Sequence, residues 1–164
     1  MNLKAFVLCL LAAALAGEPV FAKTLVGWVD RVKVYPGAIA LRARMDTGAD
    51  GSSLRVSSMH QFERDAKPWL RVEITDRRGH LHTLEAPVVR HIRIKRHTGE
   101  PGRRPVIELG VCVGTVYKDV QASVTDRGRL NYPLLIGRNF LAGDFLIDSA
   151  ETYSLEPACA QAPR

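Results

Sequence analysis

The sequence predicts a mostly β domain, folded as a closed or nearly closed barrel. Three observations predict it. Apolar and polar residues alternate over short segments, which is the pattern of half-buried strands. Gly, Pro and Asp cluster between those segments, where turns need them. Long stretches with helical periodicity are absent.

The elements follow in order. Residues 25–34 carry Val26, Trp28, Val29, Val32 and Val34, all strand formers. Pro36 and Gly37 make a turn. Residues 38–45 alternate strictly, with Ile39, Leu41, Ala43 and Met45 on one face and Arg42 and Arg44 on the other. Residues 54–59 form a second short segment, and residues 63–68 read as a polar connector. Residues 69–75 alternate again. They pair with residues 80–89 across a turn at 76–79, and residues 90–95 continue as strand. Residues 105–113 and 115–124 flank Gly114, and residues 126–128 turn once more. Residues 133–137 form an apolar run ending in Gly137, which reads as a buried strand. Residues 138–141 suit a short helix, and residues 145–148 a last strand. The tail, 158–164, reads as disordered.

The N-terminus has a separate character. Lys4 precedes an uncharged apolar run, residues 5–16, too short for the roughly 20 residues a membrane span needs. Val20 and Ala22 suit a signal peptidase, so residues 1–22 read as a secretory signal peptide. The expected location is periplasmic or secreted, without stable membrane insertion, with one domain over 23–157. Cys112 and Cys159 then meet an oxidising compartment. A disulfide and two free thiols both remain open from sequence, because spacing along the chain does not give the Cα separation.

The net charge of +6 favours anionic surroundings. Its densest cluster, 90–104, holds Arg90, His91, Arg93, Lys95, Arg96, His97, Arg103 and Arg104 with loop-forming Gly and Pro. No aromatic residue interleaves it, so no stacking platform for nucleic acid is formed. A solvated loop or a substrate-attracting rim is expected instead, and no nucleic-acid partner.

The chemistry centres on Asp46-Thr47-Gly48. A strand ending in Asp, followed by Gly, fixes a carboxylate at a sharp turn open to close approach. Peptide hydrolysis by carboxylates needs two of them sharing one proton. The chain has one Asp-Thr-Gly, and Asp148-Ser149 is followed by Ala150, so a second carboxylate would come from a symmetric homodimer. Downstream stands Leu135-Ile136-Gly137-Arg138-Asn139-Phe140-Leu141.

With Ala49 and Asp50 after the triplet, this pairing resembles the retropepsins, the retroviral-type aspartic proteases. Gly27-Trp28-Val29, Arg44 to Ala49, Arg104 to Ile107, Tyr132 to Arg138 and Phe145 to Asp148 resemble a bacterial branch of them, often labelled ATP-dependent zinc proteases. The resemblance implies a small acid-protease barrel with a short C-terminal helix, acting as a homodimer on a protein or peptide substrate. It implies Asp46 as the catalytic aspartate, Thr47 as the grip on its counterpart and Gly48 as a donor to substrate backbone. It implies Ala49, Asp50, Gly137 and Arg138 as residues that bind substrate or brace the site. Many relatives have Arg where Asp50 stands. The hairpin over residues 69–89 is placed to serve as a flap or as an ordinary surface hairpin.

No His-Glu-x-x-His and no phosphate-binding Gly-Lys loop is present. His80 and His82, with His91 or His97, lack the spacing of a catalytic zinc site. Neither a metal nor another cofactor is expected. The alternatives are a binding module on the same fold and, further off, a zinc hydrolase.

Overall fold

A computed structural model of the chain describes residues 22–94, 102–126 and 131–163. The leader read at 1–22 therefore lies outside the described residues except for Ala22, and so do Lys95, His97 and Arg127 to Leu130.

The strands are β1 (Thr24–Tyr35), β2 (Ile39–Met45), β3 (Ser52–Arg55), β4 (Ser58–Arg64), β5 (Lys67–Thr75), β6 (Leu81–Ile94), β7 (Gly102–Val113), β8 (Val116–Thr125), β9 (Leu134–Ile136) and β10 (Phe145–Thr152). One short helix, α1 (Arg138–Leu141), follows β9. The sheet runs β10-β1-β2-β9-β3-β8-β7-β6-β5-β4, and a further pairing of β1 with β7 closes it. The closed part is a six-stranded mixed barrel of β1, β2, β9, β3, β8 and β7. Closure removes the free edges that an open sheet would expose. Strands β6, β5 and β4 extend outward from it, and β10 lies parallel to β1.

Alternation decides which side chains fill the barrel. On β2, Ile39, Leu41, Ala43 and Met45 are buried, and Arg42 and Arg44 are exposed. Val32, Leu41, Leu54, Ile107, Val124, Leu134 and Ile136 meet in one apolar cluster. Burial at roughly 25 cal/mol per Å² of apolar surface makes this the chief source of stability.

Two expectations change. The polar connector at 63–68 is a hairpin turn: Arg64 pairs with Lys67 across Asp65 and Ala66. Both central residues take positive φ, 52° and 56°, the turn whose twist matches paired strands. The segment at 54–59 is divided between β3 and β4. As expected, the strand at 80–89 continues past residue 89; it forms β6 (Leu81–Ile94), with a register shift between Val88 and Arg90.

The C-terminal segment is fastened, which alternation does not signal. The carboxylate of Asp30, fully buried, accepts from the backbone N–H of Arg31 and Ser154 at 2.7 and 3.0 Å and from the Ser154 hydroxyl at 2.7 Å. Cys112 and Cys159 form a disulfide with Cα atoms 6.0 Å apart, deciding the choice the sequence left open. The Ala158 N–H donates to Gly114 O at 2.7 Å. The start of the expected loose tail is thus tied to the β7–β8 turn. A Cys112→Ser/Cys159→Ser variant should lose about 2–4 kcal/mol of unfolding free energy in urea titrations, and the wild type should lose a similar amount in reductant.

Candidate active site

Asp46 stands immediately after β2. Its N–H donates to Ile136 O at 2.8 Å, continuing the parallel pairing of β2 with β9. The chain then turns, with Ala49 N–H bonded to Asp46 O at 3.2 Å. Asp46 Oδ1 accepts from the Gly48 N–H at 3.1 Å, and Oδ2 accepts from the Arg44 guanidinium at 3.0 Å. The carboxylate is partly accessible, 22% exposed. It opens onto a cleft lined by Ser53, Leu135, Ser123, Val106 and Arg90. These residues come from β3, β9, β8, β7 and β6.

The loop after Asp46 is locked to the start of α1. Arg138 N–H donates to Ala49 O at 2.9 Å and Asn139 N–H to Asp50 O at 3.0 Å. Ser52 Oγ accepts from the Gly137 N–H at 3.2 Å and donates to Asn139 Oδ1 at 2.8 Å. Gly137 is required by this packing. A Cβ there would lie 2.5 Å from Gly51 O and 2.9 Å from Ala49 O, both backbone atoms. α1 is itself held from β8: Lys118 Nζ donates to Phe140 O at 2.6 Å, and Asn139 Nδ2 donates to Gln121 O at 2.9 Å.

The expected residues therefore meet. Thr47, Gly48, Ala49 and Asp50 form the turn, and Gly137 and Arg138 lie against it. The Arg138 guanidinium contacts the Asp50 carboxylate and also donates to Thr47 O at 2.7 Å. Asp50 is 93% exposed and Arg138 47%, so their ion pair is solvated and contributes little, about 0–1 kcal/mol. The bracing falls on the backbone bonds and on Ser52.

Sequence reasoning missed Arg44, Ser52 and Asn139. Arg44 was legible as the outward residue two before Asp46 on an alternating strand. Asn139 was in view within the late motif. Nothing in the sequence linked Ser52 to the site, whereas Arg90 opens the basic cluster expected as a solvated loop or a substrate-attracting rim.

The hairpin of β5 and β6 does not cover Asp46. At its tip, Arg77 N–H donates to Ala40 O at 3.2 Å. Ala40 is six residues before Asp46, about 20 Å along an extended strand. The paired stems of β6 and β7 flank the cleft instead, through Arg90, Ile92 and Val106.

The expected weak metal candidates have another use. His82 Nε2 and His80 Nδ1 lie 3.0 and 3.3 Å from Asp76 Oδ2. Among the described residues no group of three His, Cys, Asp or Glu side chains is placed to hold a metal ion. The His82 ring, above all, holds the Asp76 carboxyl well below the usual carboxylate range. The backbone N–H groups of His80 and Arg78 and the His80 ring add to this, against the opposing effect of burial.

The family model for the retropepsin-like aspartic endopeptidase RimB matches residues 25–157. The chain belongs to this RimB-like family. Proteins named "Probable alpha-L-glutamate ligase" are similar to it. That from Shewanella pealeana is 31% identical over 122 residues, covering 73% of this chain. That from Parasynechococcus marenigrum is 28% identical over the same length. The chain spans 27% of the length of the Shewanella protein and 26% of the other, so the similarity is confined to one part of each. Among solved structures, Lpg0085 from Legionella pneumophila, described as a protein of unknown function, matches with a TM-score of 0.70 at 26% identity. That match covers 82% of this chain and 100% of the other.

Two tests follow from this geometry. Gly137→Ala should cost about 3 kcal/mol in chemical denaturation, because backbone atoms on two sides must move. A carboxyl with a depressed folded-state pKa stabilises the fold above its unfolded pKa, and that stability is lost as pH falls through the folded value. Wild type should therefore lose stability below about pH 4 more steeply than Asp76→Asn, read from thermal melts across acid pH.

Proposed function

We propose that this protein is an exported aspartic endopeptidase that works as a symmetric homodimer, with one Asp46 from each copy. The observation that carries the proposal is a single carboxylate on a locked turn at the mouth of a cleft. Facing carboxylates a few Å apart do not both ionise, so the dyad holds one proton. The ionised member takes a proton from water as the water oxygen bonds to the scissile carbonyl carbon. The protonated member donates to the carbonyl oxygen. Collapse of the tetrahedral intermediate breaks the C–N bond, and the departing nitrogen takes up a proton.

The RimB-like assignment supports this chemistry. Gly48 is exposed beside the carboxylate, and Thr47 is exposed where a second copy would approach. The paired stems of β6 and β7 beside Asp46 supply strand edges and side chains for a peptide bound in extended form. Export is supported by the leader composition and by the Cys112–Cys159 disulfide, a bond characteristic of oxidising compartments.

A second reading, a non-catalytic binding module, draws on the relatives, in which the matching part belongs to longer proteins named as ligases. One substitution separates the two. Asp46→Asn should lower kcat on a susceptible peptide by at least about a thousandfold while leaving the thermal midpoint nearly unchanged. Sedimentation velocity should show a dimer in the active range. Cleavage undiminished in Asp46→Asn, or full activity in a strict monomer, would exclude the dyad.

A further inference from the structure

A second cluster lies on the same outer face of the barrel, beyond the Asp46 cleft. Arg42 stands two residues before Arg44 on the outward side of β2. Arg55 ends β3, its N–H bonded to Pro133 O at 2.7 Å. Arg77 comes from the tip of the β5–β6 hairpin, which its own N–H fastens to Ala40 of β2. The three arginines line one open pocket with Thr75 and Asp76.

Their charges are not answered locally. Arg31, Arg44, Arg64, Arg71 and Arg138 each have a carboxylate partner. Among the described residues, no carboxylate pairs with Arg42, Arg55 or Arg77. Asp76 is the acidic residue in the pocket lining, and its oxygens are taken by the N–H groups of Arg78 and His80 and by both histidine rings. A second observation is independent of charge. The Nε of Arg55 is buried and has no hydrogen-bond partner. A buried N–H without an acceptor costs free energy, so the Arg55 side chain is held in the pocket wall at some expense.

We propose that Arg42, Arg55 and Arg77 form a binding site for a phosphate-class oxyanion, separate from the Asp46 cleft. Three guanidiniums from three elements match a small ligand carrying more than one negative charge and several acceptor oxygens. A single carboxylate would leave part of the charge unanswered. The ligand is an inorganic phosphate or the phosphate of a lipid headgroup. The site draws on no residue of the catalytic turn, so it stands or falls independently of peptidase activity.

The test is calorimetric titration of the full chain with inorganic phosphate at fixed ionic strength. Saturable binding is expected, and it should raise the thermal midpoint. Arg42→Gln/Arg77→Gln alters exposed side chains, so the fold should be kept. Phosphate affinity should fall by about tenfold or more, since two of the three charge-assisted contacts are lost. Arg78→Gln, at the same tip but outside the pocket lining, should bind as wild type does. Retention on phosphatidate vesicles that is lost in the double variant assigns the headgroup as the source. Phosphate binding without retention assigns the free anion. No saturable binding, or equal affinity in the double variant, overturns the site.

Discussion

The structure depends on the interlock between the turn after Asp46 and the start of α1. Two segments about ninety residues apart approach until backbone touches backbone, and only the missing side chain of Gly137 permits it. Once there, the Arg138 and Asn139 N–H groups bond to carbonyls of the turn. These are amides that a helix start leaves without intrahelical partners. No side-chain cap serves them. The same bonds that finish the helix therefore fix the turn that carries Asp46. The parallel pairings of β2 with β9 and of β3 with β8 run into this interlock from both sides. The position of the Asp46 carboxylate is set by barrel closure more than by its own neighbours.

Charge is used differently in different parts of the molecule. Asp30 is fully buried and surrounded by donors, so its removal would strand several amides at once. Asp50 and Arg138 form an ion pair that looks important in sequence, yet water reaches both groups and screens it. Arg44 is the neighbour that bears directly on Asp46, and its guanidinium lies on one carboxylate oxygen. In a dimer this pair would compete with the approach of the second carboxylate. Arg44 thus links protomer surface charge to assembly of the proposed dyad.

The legible part of the fold was the barrel itself. Period-two alternation in β2 and β5 and the apolar run of β9 needed only local sequence to be read, because side-chain direction in a strand follows from the backbone. The turn at Asp65 and Ala66 was hidden, since neither residue is one of the glycines or asparagines that usually take positive φ. The continuation of β6 past residue 89 was legible, but the register shift between Val88 and Arg90 was not, because a bulge is defined by the partner strand.

Sequence alone determined the alternating strands, the Asp46-Thr47-Gly48 turn and the late Gly137-Arg138 segment, because each is written in adjacent residues. Which residues surround Asp46, where the β5–β6 hairpin points and whether Cys112 reaches Cys159 were decided by tertiary structure. These depend on strand order and register. The barrel brings Ser52 to Gly137, Arg90 to the cleft and Arg77 to Ala40 by pairings between segments far apart in the chain. Such pairings follow from closing the whole sheet, and no local pattern carries them.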